Sequence, residues 1–398
     1  MKEETTPSRL QQTEPFQTKS VLLLSLCHLI HDIYTSFLFP LLPLLIKKLS
    51  MSLTEAGFLA TFMQIPALLN PLIGLLADRI SVRWFIILAP SLTAIPMSLI
   101  GVAPNYGVLM LLLFAAGISV SLFHVPSPVM IAKLSGSFKG RGMSFYMTGG
   151  ELARTLGPLT AIGAVSLMGL ENFYPIMVLG WAMSLWLYVK FKDVPINSTG
   201  LKRISLKGTW SKMRNLLLPL AAILCARGLM HATITTFLPT FIQQETGNLW
   251  LGGIALTLVE GAGVLGILAS GPLSDTIGRR LVLLISLVGA PLMLLSFIWL
   301  TGWLSYIALA ATGFTLLSTT PVMLALVQEH CTASPAAANG IYMMVSFIAR
   351  SAIVVIVGFL GDLIGLKSTY IVSACLGLFG IPFVLMLPKK SEQAGVTG

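Results

Sequence analysis

Apolar residues in this chain run unbroken for lengths typical of bilayer crossing, and polar residues gather in the short breaks between them. The runs fall at about 20–46, 53–77, 84–102, 106–132, 143–168, 172–189, 215–242, 250–273, 281–301, 304–328, 337–361 and 368–387. Each is close to the roughly 20 residues that a membrane-spanning helix needs. The pattern predicts twelve transmembrane spans. Most breaks are only a few residues, so neighbouring spans must run antiparallel. The longest break, 190–214, holds seven Lys and Arg together with Pro195 and Gly200, and it divides the spans six and six. The expected organisation is an N-terminal tail (1–19), a six-helix bundle (20–189), a basic linker (190–214), a second six-helix bundle (215–388) and a C-terminal tail (389–398).

Composition agrees with this pattern. The chain is 55% hydrophobic and 10% charged, with a mean hydropathy of +0.87, whereas soluble domains carry about 25% charge. An all-α integral membrane protein is expected. The formal net charge of +10 could suggest a nucleic-acid partner, but the placement of the charges explains it otherwise. With a cytoplasmic N-terminus, 19 of the 25 Lys and Arg fall on the cytoplasmic side, and only Lys47, Lys48 and Lys367 fall opposite. That is the positive-inside rule. It puts both termini in the cytoplasm, calls for a lipid bilayer and leaves no need for nucleic acid. Residues 1–19 lack an apolar core, and the first run is too long for a cleaved signal peptide. The four cysteines form no CxxC pair, so neither a disulfide framework nor a zinc motif is expected, and no cofactor. Neither HExxH nor GxSxG occurs, and an enzyme is not expected.

The remaining basic residues, Arg154, Arg227 and Arg350, lie inside spans, as do Asp32, Glu151 and Glu260. Charges at mid-membrane cost a few kcal/mol or more and mark functional sites. A rise of about 1.5 Å per residue puts them all near the middle of a core about 30 Å thick.

The two halves repeat. Pro128-Val-Met-Ile-Ala132 recurs as Pro321-Val-Met-Leu-Ala325, Gly74-Leu-Leu-Ala-Asp78 as Gly271-Pro-Leu-Ser-Asp275, and Ala153-Arg154-Thr155 as Ala349-Arg350-Ser351. The offsets of 193, 197 and 196 residues are nearly constant. A duplicated six-helix unit is the architecture of a rocking transporter with its site between the halves.

The segment Gly271-Pro-Leu-Ser-Asp275-Thr-Ile-Gly278-Arg279-Arg280 resembles the loop signature of the major facilitator superfamily. Its first-half copy keeps Gly74, Asp78, Arg79 and Arg83, with Ser81 where glycine is usual. The resemblance implies the major facilitator fold, two pseudo-symmetric bundles, and a gating role for these residues and for Gly157-Pro158. It also implies that spans 3, 6, 9 and 12, which carry no interior charge, face lipid. Cys27-His28-Leu-Ile-His31-Asp32, Phe123-His124 and Gly149-Gly150 through Leu159 are further similar to the fosmidomycin-resistance branch of proton-driven drug exporters. Arg154 and Arg350 depart from that exporter pattern.

Each interior group admits two roles. Glu151 and Arg154, three apart, share a helix face and form either a neutral pair that tolerates burial or, with Arg350 opposite, an anion clamp with Glu151 as its pH-sensitive brake. Asp32 with His28 one turn earlier is either a proton site or a carboxylate held by a histidine or an arginine. Arg227 and His231 either hold an anionic substrate or pair with Asp32 or Glu260. Glu260 is a second proton site or a counter-ion for Arg350. His124 and Phe123 are candidate substrate contacts, although His124 and His31 also read as satisfied interior histidines.

The function expected is proton-coupled alternating access moving a small anionic organic molecule or drug across the plasma (inner) membrane, in the direction of efflux, by a monomer. The alternatives are proton-coupled uptake, export of a divalent metal through Asp32, His28, His31, His124, Cys27 and Cys225, and a receptor or scaffold.

Overall fold

The computed structural model describes residues 16–70, 73, 83–136, 139–192, 206–330 and 335–387. Among them the chain is helical throughout, without strands. The helices are α1 (Thr18–Thr35), α2 (Leu38–Leu49), α3 (Leu53–Gln64), α4 (Arg83–Leu99), α5 (Tyr106–His124), α6 (Ser127–Leu134), α7 (Lys139–Met168) and α8 (Met177–Phe191). They continue as α9 (Leu206–Thr246), α10 (Leu249–Ile277), α11 (Arg279–Trp299), α12 (Trp303–Leu317), α13 (Thr319–His330), α14 (Pro335–Ile364), α15 (Leu366–Gly377) and α16 (Ile381–Leu385).

Ten of the described helical segments are long and apolar enough to span a bilayer. The expected second span is represented by the shorter apolar stretch Leu53–Leu69. The fifth, α7, has 30 residues but carries Glu151 and Arg154 at its middle, which lowers its apolarity. Spans 1, 4 and 10 are each broken into two helices. Proline explains the breaks: Pro40, Pro128 and Pro321 each follow the break closely, and a proline ring clashes with the carbonyl four residues earlier. Pro128 and Pro321 are the mates of the internal repeat.

Packing repeats with the sequence. In the first half α1 lies on α7, α3 on α5, and α4 on both α5 and α8; in the second α9 lies on α14, α10 on α12, and α11 on both α12 and α15. The first set, read span by span, maps onto the second. The halves meet through α3 with α14, α7 with α10, and α2 with α9. These contacts lie toward the end of the bundle that carries Lys47, Lys48 and Lys367. At the other end, α6 packs on α7 and α13 on α14, each within its own half. The mid-span side chain of Arg154, at the contact between the halves, is 49% accessible, so a solvent-accessible cleft lies between the halves at that depth.

The outer helices present apolar side chains outward, among them Leu179, Trp181, Leu185 and Val189 on α8 and Ile285 and Leu292 on α11. Such a surface suits lipid. Short caps shape the closed end. Ser52 and Glu55 form a capping box at the start of α3, and Lys48 Nζ reaches the Gly101 carbonyl at 2.7 Å and Glu171 at 2.8 Å. That hydrogen bond and the lysine charge hold the Glu171 carboxyl below its usual range.

Candidate functional site

Two polar groups occupy the interior. The first is built on α1. Asp32 sits one turn after His28, so their side chains share a face, and His28 Nε2 lies 3.1 Å from Asp32 Oδ2. His124, at the broken end of α5, brings its Nε2 to 3.4 Å from the same oxygen. His31 Nδ1 shares a 2.8 Å hydrogen bond with Asp32 Oδ1. The three imidazoles are themselves fixed. His28 Nδ1 donates to the Tyr146 carbonyl at 2.8 Å, and His124 Nδ1 to the Val120 carbonyl at 3.0 Å. His31 Nε2 lies 2.9 Å from Thr93 Oγ1, which donates to Ser119 at 2.6 Å, which in turn donates to the Ala89 carbonyl at 3.0 Å.

Sequence explains this closeness locally. A Cβ at Gly149 would collide with the Ser25 carbonyl oxygen, and one at Gly150 would come within 2.7 Å of the His28 ring. Only glycine lets α7 press so tightly on α1. Tyr146 then stacks on His28, with ring centroids 4.0 Å apart.

The second group bridges the halves. Arg154 pairs with Glu151 on its own helix, and its Nε lies 3.9 Å from Glu260 Oε2 on α10. Arg154 is half-exposed within the cleft, its side chain 49% accessible, whereas the Glu260 side chain is 12% accessible. Arg227 is buried and, among the described residues, donates to Thr320 Oγ1 at 3.4 Å, while its buried Nε has no partner there. Among the described residues no carboxylate lies within 4.0 Å of Arg227 or Arg350. Arg350 is within electrostatic range of Arg154 and Arg227, and His231, one turn from Arg227, is within range of all three. Arg154 also lies within electrostatic range of Asp32 and His124.

Several expectations change. Asp32 is held by histidines, one of the arrangements expected of it, and the arginine alternative falls away. Glu260 turns toward Arg154 and not toward Arg350 or Arg227. Phe123 is fully buried and stacks on His31 at a centroid distance of 4.3 Å, so it orders the imidazoles and does not line the cleft. Cys27 is buried while Cys225 is exposed.

Of the loop signature, Gly74, Asp78 and Arg79 lie outside the described residues, as does Ser81. Arg83 stacks its guanidinium 5.8 Å from the centre of the Trp84 ring. Among the described residues nothing lies within 4 Å of where a Cβ of Gly271 would stand. Gly278 adopts φ +97° between α10 and α11, a turn that favours glycine, and Arg279 donates to Ser274. Arg280 is partly buried, and Asp275 lies in the last turns of α10. Gly157 sits against Ser36 of the α1–α2 break, and Pro158 lies inside α7.

Some members escaped the sequence reading. His31 itself was read as an interior histidine, but its 2.8 Å contact with Asp32 was not, because adjacent residues do not face each other on a helix. Thr93, Ser119 and Thr320 are ordinary hydroxyls in apolar runs and carried no signal.

The Major Facilitator Superfamily model matches residues 24–354 and 251–397. The chain is 25% identical over 390 residues to the fosmidomycin resistance protein of Escherichia coli (strain K12), covering 93% of each chain. It is 24% identical over 389 residues to the MFS-type transporter YfnC of Bacillus subtilis (strain 168), covering 94% of this chain and 93% of that one. Its fold matches the inward-facing, unoccupied bacterial homologue of the human lysosomal transporter Spinster, with TM-score 0.75, 14% identity and coverage of 94% and 95%. It also matches the nucleoside transporter NupG, with TM-score 0.72, 16% identity and coverage of 92% and 98%. The duplicated helical halves, the interior charges and these matches along nearly the whole chain lead to one conclusion: the chain belongs to the Major Facilitator Superfamily of membrane transporters.

Proposed function

We propose that this transporter moves a small organic anion out of the cell by proton-coupled alternating access, as a monomer in the plasma (inner) membrane with both termini cytoplasmic. The reading rests chiefly on Arg227 and Arg350, which carry no carboxylate partner among the described residues, while Arg227 Nε is buried without an acceptor. A buried guanidinium without a counter-charge is costly. An anionic ligand satisfies it, and arginine forks suit carboxylate and phosphonate oxygens.

Arg154 supplies the moving part. It belongs to α7 and leans on Glu260 of α10, two helices that join the halves. An anion entering the cleft competes with Glu151 and Glu260 for Arg154. A proton on either acid removes its attraction and releases the arginine to the anion. Binding, protonation and separation of the halves thus act on the same contact. With the N-terminus cytoplasmic, the end opposite the contacts that join the halves faces inward, and substrate loads into the cleft from the cytosol. An inside-negative potential of about 100 mV adds roughly 2.3 kcal/mol per charge in favour of anion efflux.

Proteoliposomes test this reading. Fosmidomycin and a panel of simple phosphonates and carboxylates are offered as substrates with and without a pH gradient. Gradient-stimulated flux that Glu260→Gln uncouples is expected. Flux of a panel member that ignores the gradient in both proteins would remove the coupling role of Glu260.

A further inference from the structure

The histidine cluster raises a question that anion transport does not answer. A carbonyl oxygen only accepts hydrogen bonds, so the 2.8 Å contact to Tyr146 and the 3.0 Å contact to Val120 place protons on Nδ1 of His28 and of His124. In a neutral imidazole the other nitrogen then carries a lone pair. Both Nε2 lone pairs converge on Asp32 Oδ2, at 3.1 and 3.4 Å. Three electron-rich atoms facing one another need a cation among them.

We propose that His28, Asp32 and His124 form a binding site for a divalent transition-metal ion inside the first bundle. The three ligand atoms lie within 4.8 Å of one another. Metal–nitrogen and metal–oxygen bonds of about 2.0–2.2 Å set neighbouring ligand atoms about 3.0 Å apart at right angles and about 3.4 Å apart at a tetrahedral angle. The two separations to Asp32 Oδ2, 3.1 and 3.4 Å, match that range. Each ligand has the outer support that metal sites use, in which a ligating imidazole donates its second N–H to a carbonyl. His31 secures the remaining oxygen of Asp32, and Phe123 and Tyr146 hold the rings by stacking.

Two imidazoles and one carboxylate select zinc, cobalt or nickel over calcium or magnesium. Three protein ligands leave at least one position open. His124 is the accessible member, with 37% of its side chain exposed, so the open position faces the cleft and takes water or an oxygen of a bound anion. The site stands on its own geometry and does not depend on the anion reading.

The test uses full-length protein in detergent, stripped of metal and titrated with Co²⁺ while its visible absorption is followed. One Co²⁺ per chain is expected, displaced by Zn²⁺. Asp32→Asn and His124→Asn should each weaken binding at least about 10-fold. Cys225→Ser and Cys375→Ser, which alter exposed thiols, should leave the spectrum unchanged. His124→Asn decides the matter if Asp32→Asn fails to fold, since the partly exposed ring contributes less packing. Absence of a Co²⁺ band, or a band that survives His124→Asn, overturns the proposal and leaves protons to meet the lone pairs. An Arg154→Ala protein that keeps the Co²⁺ band but loses its response to anions would confirm that the two sites stand or fall separately.

Discussion

Asp362 of α14 is held by Thr54 of α3: the Thr54 backbone N–H donates at 2.8 Å and its hydroxyl at 2.5 Å to the same carboxylate oxygen. The Leu53 N–H donates to the other oxygen at 2.7 Å. A carboxylate from the second half thus caps the first turn of a helix in the first half, where free N–H groups and the helix dipole favour an anion. It latches the closed end of the cleft. Asp362→Ala should cost about 0.5–2 kcal/mol of that closure, as loss of a cap does. Spin labels at Asn172 and Leu300, in loops of opposite halves at this end, should show a larger share of long distances in the variant. An unchanged distribution would deny the latch.

Close packing between α1 and α7 makes a second prediction. Gly149→Ala would drive a methyl into the Ser25 carbonyl oxygen, a backbone atom that cannot step aside. Overpacking of this kind costs about 1–3 kcal/mol, read as a lower melting temperature in detergent. Gly163→Ala is the comparison, because its nearest neighbour would be Trp250 at 3.8 Å. It should melt at or slightly above the wild-type temperature.

Thr93→Val keeps the shape but removes the hydroxyl that links His31 to Ser119. An imidazole nitrogen then loses its partner in a buried setting, at a cost of about 1–3 kcal/mol. Thr160→Val removes a hydroxyl that bonds only within its own helix, on an exposed face, and should cost much less. Equal melting of the two variants would show that the relay contributes nothing.

The helical fold and the interior charges were legible because both follow from local pattern. Twenty apolar residues in a row predict a span, and His28 with Asp32 predicts a shared face. Pairing across the cleft was not legible. Arg154 and Arg350 occupy equivalent places in the repeat, but that equivalence does not say which acid Arg154 meets, and it leans on Glu260. Nothing local says which of several mid-membrane charges will meet. The latch was hidden for the same reason: Thr54 and Asp362 are 308 residues apart, and Asp362 reads in sequence as one more polar residue at a helix end. His124 was placed within span 4 but not aimed, and its position at the break before Ser127 became visible only in the structure.

The central claim is that the interior arginines bind an anion. Its most direct measurement is the change in melting temperature of the purified protein with fosmidomycin and the phosphonate and carboxylate panel, for wild type, Arg154→Ala, Arg227→Ala and Arg350→Ala. At least one panel member should raise the wild-type melting temperature, and each arginine variant should lose that response while remaining folded. A ligand that stabilises all three variants as it does the wild type would contradict the account.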